Sequence, residues 1–223
     1  MASQVTHLYY TEKIFEKFLK NRIKNEKEFF IGALFPDVRY MSKVDKSVTH
    51  FCDNIYFIRD NIYINENDSD FVCGLKVHSL IDYVHSESLE NSNIYFLYKE
   101  RFKNIRTPIL MMEDIMHFDS ILYMKKYLNF LNEILDEETK FNKNIKKEDI
   151  EKWHNITIDL LSKKITGETF LSFSLGMGCF KEKDIREDIN AYENIKNEKI
   201  LTNIFDDIEK EIDKLTIKDI IKQ

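Results

Sequence analysis

A chain of 223 residues has room for one well-buried domain, or at most two small ones. Hydrophobic residues at 43% and aromatics at 13% exclude a disordered polymer, and five glycines and two prolines leave little turn chemistry for hairpins, so helices are expected. A net charge of −6 argues against a surface built to coat nucleic acid, while a local basic groove stays compatible with it.

Cys52, Cys73 and Cys179 stand far apart, odd in number and without a CxxC pair, which argues against a disulfide framework or a cysteine-rich zinc site. The opening MASQVTHLYYTEK has no apolar core of a secretory signal, and no run of 18 apolar residues exists to span a membrane. The expectation is therefore a cytoplasmic protein with no transmembrane segment; nothing in the sequence sets its oligomeric state.

In chain order, residues 1–7 read as a short polar lead. Tyr10 to Asn25 carries Ile14, Phe15, Phe18, Leu19 and Ile23 at helical spacing, with Thr11 as an N-cap. Glu28 to Leu34 is a short buried segment of helical character. Phe35-Pro36 ends it, because a residue before proline is pushed out of helical geometry. That puts Asp37 on a loop beside a buried element, either as a ligand or catalytic group or as a plain turn-former. Val38 to Ser47 reads as polar loop. A segment to about Tyr63 follows, with Phe51, Ile55, Phe57, Ile58 and Ile62 spaced for a helix and His50 at its start, where a structural and a ligating role are both open.

Asn61 to Asp70 is an acidic connector with Asp68 or Ser69 as caps for the next helix. Phe71 to Leu89 is one long helix. At 100° per residue, Phe71, Leu75, His78, Asp82, His85 and Leu89 share a stripe about 80° wide. Two histidines and an aspartate thus occupy the middle of a core face. Burying such groups unpaired costs roughly 2–7 kcal/mol each. Either a divalent metal or a hydrogen-bonded core triad must compensate them.

Ser92 to Phe102 is an aromatic helix or extended stretch. Thr107-Pro108 opens a helix that runs to about Leu135, with a break near Phe118; within it Glu113 and His117 share a face, as ligands or as an ordinary surface pair. Asp136 to Lys147 is a charged linker and Lys147 to Lys164 an amphipathic helix whose His154 reads as structural or surface. Gly167 to Gly178 is a buried helix or a packed loop. Lys181 to Gln223 makes one or two helices lying on the domain. No internal repeat and no flexible linker divides the chain.

Four phrases now stand in order: Thr6-His7, FFIGALFPD ending at Asp37, Thr49-His50-Phe51, and GLKVHSLIDYVH with His78, Asp82 and His85. In that order they resemble the zinc-dependent phospholipase C family, which shares its all-helical fold and trinuclear zinc site with the fungal single-strand nucleases. The FxxGAxxPD phrase, the later THF and a GxxxHxxxDxxxH-like helix carry the resemblance, over roughly residues 5–120. The last gap, Asp82 to His85, is one residue shorter than in that pattern.

The resemblance implies an all-α fold in a single multi-helix domain over 1–223, with residues 1–135 carrying the metal site and 136–223 packed on it as C-terminal helices. It implies one to three Zn2+ ions. Asp37, His50, His78 and Asp82 would make the first shell, and Asp82 would bridge to a second ion served by His85. Residue 121, four after His117, is isoleucine where the family has an acid, so Glu113 and His117 would offer the second ion's groups in reversed order. His7 matches the histidine of a third site. Asp37 would also orient or deprotonate the attacking water.

The function that follows is a phosphoesterase hydrolysing a phosphodiester, phospholipase C-like, by metal-activated water. Its substrate would be a phospholipid or a nucleotide. No GxSxG and no paired Cys and His suggest a covalent route. A nuclease or nucleotide phosphohydrolase on the same site, and a non-catalytic metal-binding helical interaction protein, are the alternatives. Tyr9, Tyr10, Phe51 and Tyr56 line a substrate pocket in the first readings or simply pack the core.

Overall fold

Two glycines set the spacing at the centre of the fold. The computed structural model describes residues 3–53, 56–57, 59–92, 106–178, 180–197 and 199–222. Its central elements are α2 (Glu26–Leu34) and α6 (Asp70–Asn91). They cross so closely that a methyl group on Gly32 would overlap the Phe71 carbonyl, and one on Gly74 would lie 2.6 Å from the Ala33 nitrogen. Only glycine permits this approach of two backbones. Phe29, Phe30 and Phe71 flank the crossing, all buried.

The other elements are laid around this pair. α1 (Gln4–Ile14) runs on into a π-helical turn over Phe15–Leu19, and a 3-10 turn over Phe35–Val38 follows α2. Short helices α3 (Arg39–Ser42) and α4 (Lys46–His50) lead to a hairpin of two-residue strands, β1 (Cys52–Asp53) and β2 (Tyr56–Phe57), paired antiparallel. α5 (Arg59–Ile62) precedes α6. Beyond it come α7 (Arg106–Phe118), α8 (Met124–Phe130), α9 (Asp136–Phe141), α10 (Lys147–Leu161), α11 (Gly167–Gly176), α12 (Glu182–Ile195), α13 (Lys199–Lys214) and α14 (Ile217–Ile220).

One continuous apolar core runs from Val5 to Ile220, so residues 136–223 supply core as well as cover. α13 lies on α6, with Ile204, Phe205, Ile208 and Ile212 buried. Residues 220–222 pair with Ile64: Ile64 N donates to the Ile220 carbonyl at 2.7 Å and Lys222 N to the Ile64 carbonyl at 3.0 Å. Among the described residues no helix is long and apolar enough to cross a membrane.

The all-helical expectation holds apart from the small hairpin. Ser69 caps α6 through a bond to Val72 N, and the long helix after Thr107 is broken at Phe118, both as expected. Five segments differ. The lead is helical from Gln4, because Ser3 and not Thr11 caps α1. The expected loop over residues 38–47 contains α3 and the start of α4, and Lys43 closes α3 in a left-handed conformation (φ 55°).

Of the helix expected from Phe51 to about Tyr63, the described residues keep only α5 at its end, after the hairpin. Phe51 sits at φ 49°, which stops α4 after His50 and turns the chain into the hairpin. His50 therefore ends a helix rather than starting one. The linker after Asp136 holds α9, and residues 182–220 form three helices rather than one or two. The aromatic stretch from Ser92 to Phe102 lies outside the described residues beyond residue 92.

Replacing Gly74 with alanine is expected to cost at least about 3 kcal/mol, because backbone cannot yield as a side chain can. For a chain of this size that lowers Tm by roughly 6–12 °C, read in a thermal melt. An unchanged Tm would show that the crossing is looser than described.

Candidate metal centre

The centre is assembled by four short pieces of chain. α1 contributes Gln4 and His7 from one face, one turn apart. The 3-10 turn contributes Asp37, α4 contributes Lys46 and His50 one turn apart, and α6 contributes His78 and Asp82. His7, His50, His78 and Asp82 are fully buried and Asp37 nearly so.

His78 is fixed first. Its Nδ1 lies 2.8 Å from the Ala33 carbonyl. A carbonyl only accepts, so Nδ1 carries the proton and the neutral ring presents a lone pair at Nε2. That lone pair faces His50 Nε2 at 3.2 Å. The other nitrogen of His50 lies 2.8 Å from the Thr49 hydroxyl. If His50 donates to Thr49, two lone pairs meet, an arrangement that needs a cation between them. If Thr49 donates, His50 can donate to His78 and the pair is self-sufficient.

The carboxylates favour the cation. Asp82 Oδ2 lies 3.7 Å and Asp37 Oδ1 3.9 Å from the same His50 nitrogen. His7 Nε2 lies 3.4 Å from Asp82 Oδ1, and the His7 ring stacks on His78 at 3.6 Å. Among the described residues neither nitrogen of His7 makes a well-formed hydrogen bond. A tetrahedral zinc shell with 2.0–2.2 Å bonds separates its ligand atoms by about 3.3–3.6 Å. The observed separations bracket that spacing. Two groups of ligand atoms lie within 4.8 Å of one another: His7 with His78 and Asp82, and Asp37 with His50 and His78.

Both groups draw on His78, whose Nδ1 is already committed to Ala33. Its single remaining nitrogen can serve one ion at a time. The donor set fits a borderline cation such as zinc, being neutral imidazole and carboxylate together. Asp37 is seated by Gln4, whose amide donates to Oδ2 at 2.7 Å.

Protonation agrees with that use. Burial holds the His50 and His78 imidazoles well below the usual histidine range, so they stay neutral. Burial would raise Asp82, yet the surrounding groups, His7 and His78 among them, hold it well below the carboxylate range. Asp37 is pushed up to about 6 by burial, against the pull of His7.

The remaining three sites expected from the sequence, His85, Glu113 and His117, meet one turn further along α6. They form a chain of hydrogen bonds. His85 Nε2 lies 2.6 Å from Glu113 Oε2, and the Tyr10 hydroxyl donates to Glu113 Oε1 at 3.3 Å and lies 3.5 Å from His117 Nε2. Burial would raise Glu113, but His85 and then His117 keep it below its ordinary value. Glu113 and His117 do share a face, and both are buried, so they are not a surface pair. The described residues form no group with metal-ligand spacing here.

Gln4, Lys46, Thr49 and Asp114 complete the surroundings and were not among the expected site residues. Thr49 could have been found from its place beside His50. Gln4 and Lys46 stand one helical turn from His7 and His50, but both segments read as non-helical. Asp114 is buried and accepts from the hydroxyls of Ser3 and Thr6 (3.0 Å from Thr6), which anchors the start of α1. His154 is structural and not on the surface. It is buried between Glu138 Oε1 and the Leu131 carbonyl, at 2.7 Å from each. Of the expected pocket aromatics, Tyr10 is buried, Tyr9 stacks on His117 at 3.9 Å and Phe51 is half-buried, while the Tyr56 side chain is outside the described set.

Compared with protein-family models, with curated proteins and with solved structures, the chain finds no significant match in any of the three.

Asp114 gives a pH test of the α1 anchor. Burial pushes its carboxyl up to about 7. A carboxyl raised on folding contributes stability below its unfolded pKa, and that contribution is lost as pH rises through the folded value. Asn accepts the same two hydroxyl bonds without ionising. Asp114→Asn should therefore match the wild type near pH 4 and gain on it steadily up to about pH 7, as melting temperatures across that range would show. A difference independent of pH would mean that Asp114 ionises normally.

Proposed function

We propose that the chain is a zinc-dependent phosphoesterase that hydrolyses a phosphodiester. The observation that carries this is the convergence of His7, Asp37, His50, His78 and Asp82 from four separate elements on one buried volume at ligand spacing. His7 adds a further imidazole against Asp82, its Nε2 lying 3.4 Å from Oδ1. The resemblance of the FFIGALFPD, Thr-His-Phe and central-helix phrases to the zinc-dependent phospholipase C family points the same way, and it supplies the phosphodiester.

His50 and His78 would hold the ion with Asp82, whose second oxygen faces His7. Such an ion, when bound, supplies charge to offset a phosphate's oxygens and to acidify a water. Asp37 would take the water's proton: burial raises its carboxyl above the ordinary range, and Gln4 steers its Oδ2. His78 keeps its tautomer through Ala33 while this happens, so it acts as a fixed lone-pair donor and moves no proton. Since His78 offers one nitrogen, and since His85 Nε2 is already held by Glu113, one firmly held ion is favoured over a bridged set.

Elemental analysis of the purified protein beside Asp82→Asn is the test. We expect close to one zinc per chain in the wild type and a clear fall in the variant. Equal content in both would remove Asp82 from the shell. Zero in the wild type would leave the hydrogen-bonded core in place of the centre.

Activity separates enzyme from structural site. Hydrolysis of a soluble phosphodiester such as bis(p-nitrophenyl) phosphate should vanish with a chelator and return with zinc. In Asp37→Asn it should fall by roughly 10²–10⁴-fold, the usual worth of a positioned acid or base. A dinucleotide and a short-chain phospholipid, assayed side by side, then assign the ester. A zinc-loaded protein inert to all of them would be a metal-binding structural protein.

A further inference from the structure

We propose that Lys46 is the phosphate-recognition group of this centre; the inference rests on the metal reading above and names the residue that would meet the substrate's anion. Lys46 opens α4, and His50 closes the same helix one turn later, so both side chains reach the same place. Lys46 Nζ lies 3.6 Å from Asp82 Oδ2, the oxygen that also lies 3.7 Å from His50 Nε2. An ammonium thus stands beside the carboxylate oxygen that would face the ion.

Two cations cannot share that oxygen comfortably. Once an ion takes the charge of Asp82, the ammonium is repelled from that oxygen and can turn to an incoming anion. The Lys46 side chain is 23% exposed whereas Asp82 is sealed, so the ammonium lies between the sealed ligands and solvent. It sits on a flexible four-carbon stem and can follow an incoming oxyanion as a point charge. A non-bridging oxygen of a phosphate held at the ion is an acceptor of the right charge at that distance. Arg39, another cation near the cluster, has its guanidinium against the Tyr40 ring at 4.0 Å, with Nη2 donating to the Tyr40 hydroxyl. Lys46 is thus a cation joined to one of the candidate ligand carboxylates.

The plain alternative is that Lys46 only neutralises Asp82. The two roles predict different outcomes for Lys46→Gln. In either role, removing a competing cation leaves zinc affinity equal or higher. Recognition adds a loss of phosphate affinity that neutralisation does not.

The experiment titrates inorganic phosphate, and separately dimethyl phosphate, into zinc-loaded, desalted protein by calorimetry. Wild type, Lys46→Gln and Lys46→Arg are compared, with zinc content measured on each sample. We expect Lys46→Gln to hold its zinc and to bind both anions about 10-fold more weakly, the loss of one charge-assisted hydrogen bond. Lys46→Arg, which keeps the charge, should recover most of it. Unchanged anion affinity in a zinc-loaded Lys46→Gln overturns the proposal and leaves the metal centre standing. Loss for inorganic phosphate but not for the diester overturns the assignment to substrate. A wild type that takes up no zinc overturns both readings. Should Lys46→Gln fail to fold, Lys46→Arg binding phosphate no better than a wild type with its lysines acetylated decides against recognition.

Discussion

The contact on which the rest depends is the crossing of α2 and α6, closed by the bond from His78 Nδ1 to the Ala33 carbonyl. Gly32 and Gly74 let the two backbones approach, and the approach is what brings a main-chain carbonyl within reach of an imidazole in the middle of the core. That single bond does two things. It satisfies a buried ring nitrogen that would otherwise cost free energy, and it commits the other nitrogen to face the centre as a lone pair. Fold and site are therefore not separate layers here. The packing of the helices sets the chemistry of the ligand.

Around that crossing, each further group is held by something other than an ion. Gln4 seats Asp37, Thr49 meets His50, and Asp114 anchors the helix that carries His7. Supporting bonds of this kind orient ligands before any ligand exchange takes place. The His85, Glu113 and His117 cluster shows the other outcome of burying ionisable groups. There the histidine and the carboxylate answer each other directly at 2.6 Å, as they do again at His154 and Glu138. Two of the three buried sets thus reach the same solution, and what sets the candidate centre apart from them is spacing, not composition.

Much of this was legible in the sequence where a local pattern decides the structure. The stripe Phe71 to Leu89 repeats at helical period over more than four turns, and α6 is there with its Ser69 cap. The sites His7, Asp37, His50, His78 and Asp82 were legible as separate residues, and they do meet. What escaped was decided at a distance. The lead before Tyr10 becomes helix because Ser3 and Thr6 bind Asp114, more than a hundred residues away, and with that helix comes Gln4. The apolar residues from Phe51 to Ile62 suit a helix equally well. The left-handed turn at Phe51 ends it instead, and no periodicity announces a single residue's φ. His154 looked solitary because Glu138 lies on another helix.

The late helices also touch the earliest one. Lys13 on α1 pairs with Glu209, 196 positions further on, and the Lys17 ammonium donates to the Asp213 carbonyl. Tyr9 bonds to Glu209 while its ring covers His117, and Ile64 is stitched to Ile220 and Lys222. Contacts of such long separation close slowly, since the intervening chain must first be gathered. During synthesis the helices that bear the ligands are made first, yet their outer cover is made last. Until α13 has emerged, Tyr9, whose ring covers His117, lacks its Glu209 partner, and the α6 face beneath α13 lacks its last layer.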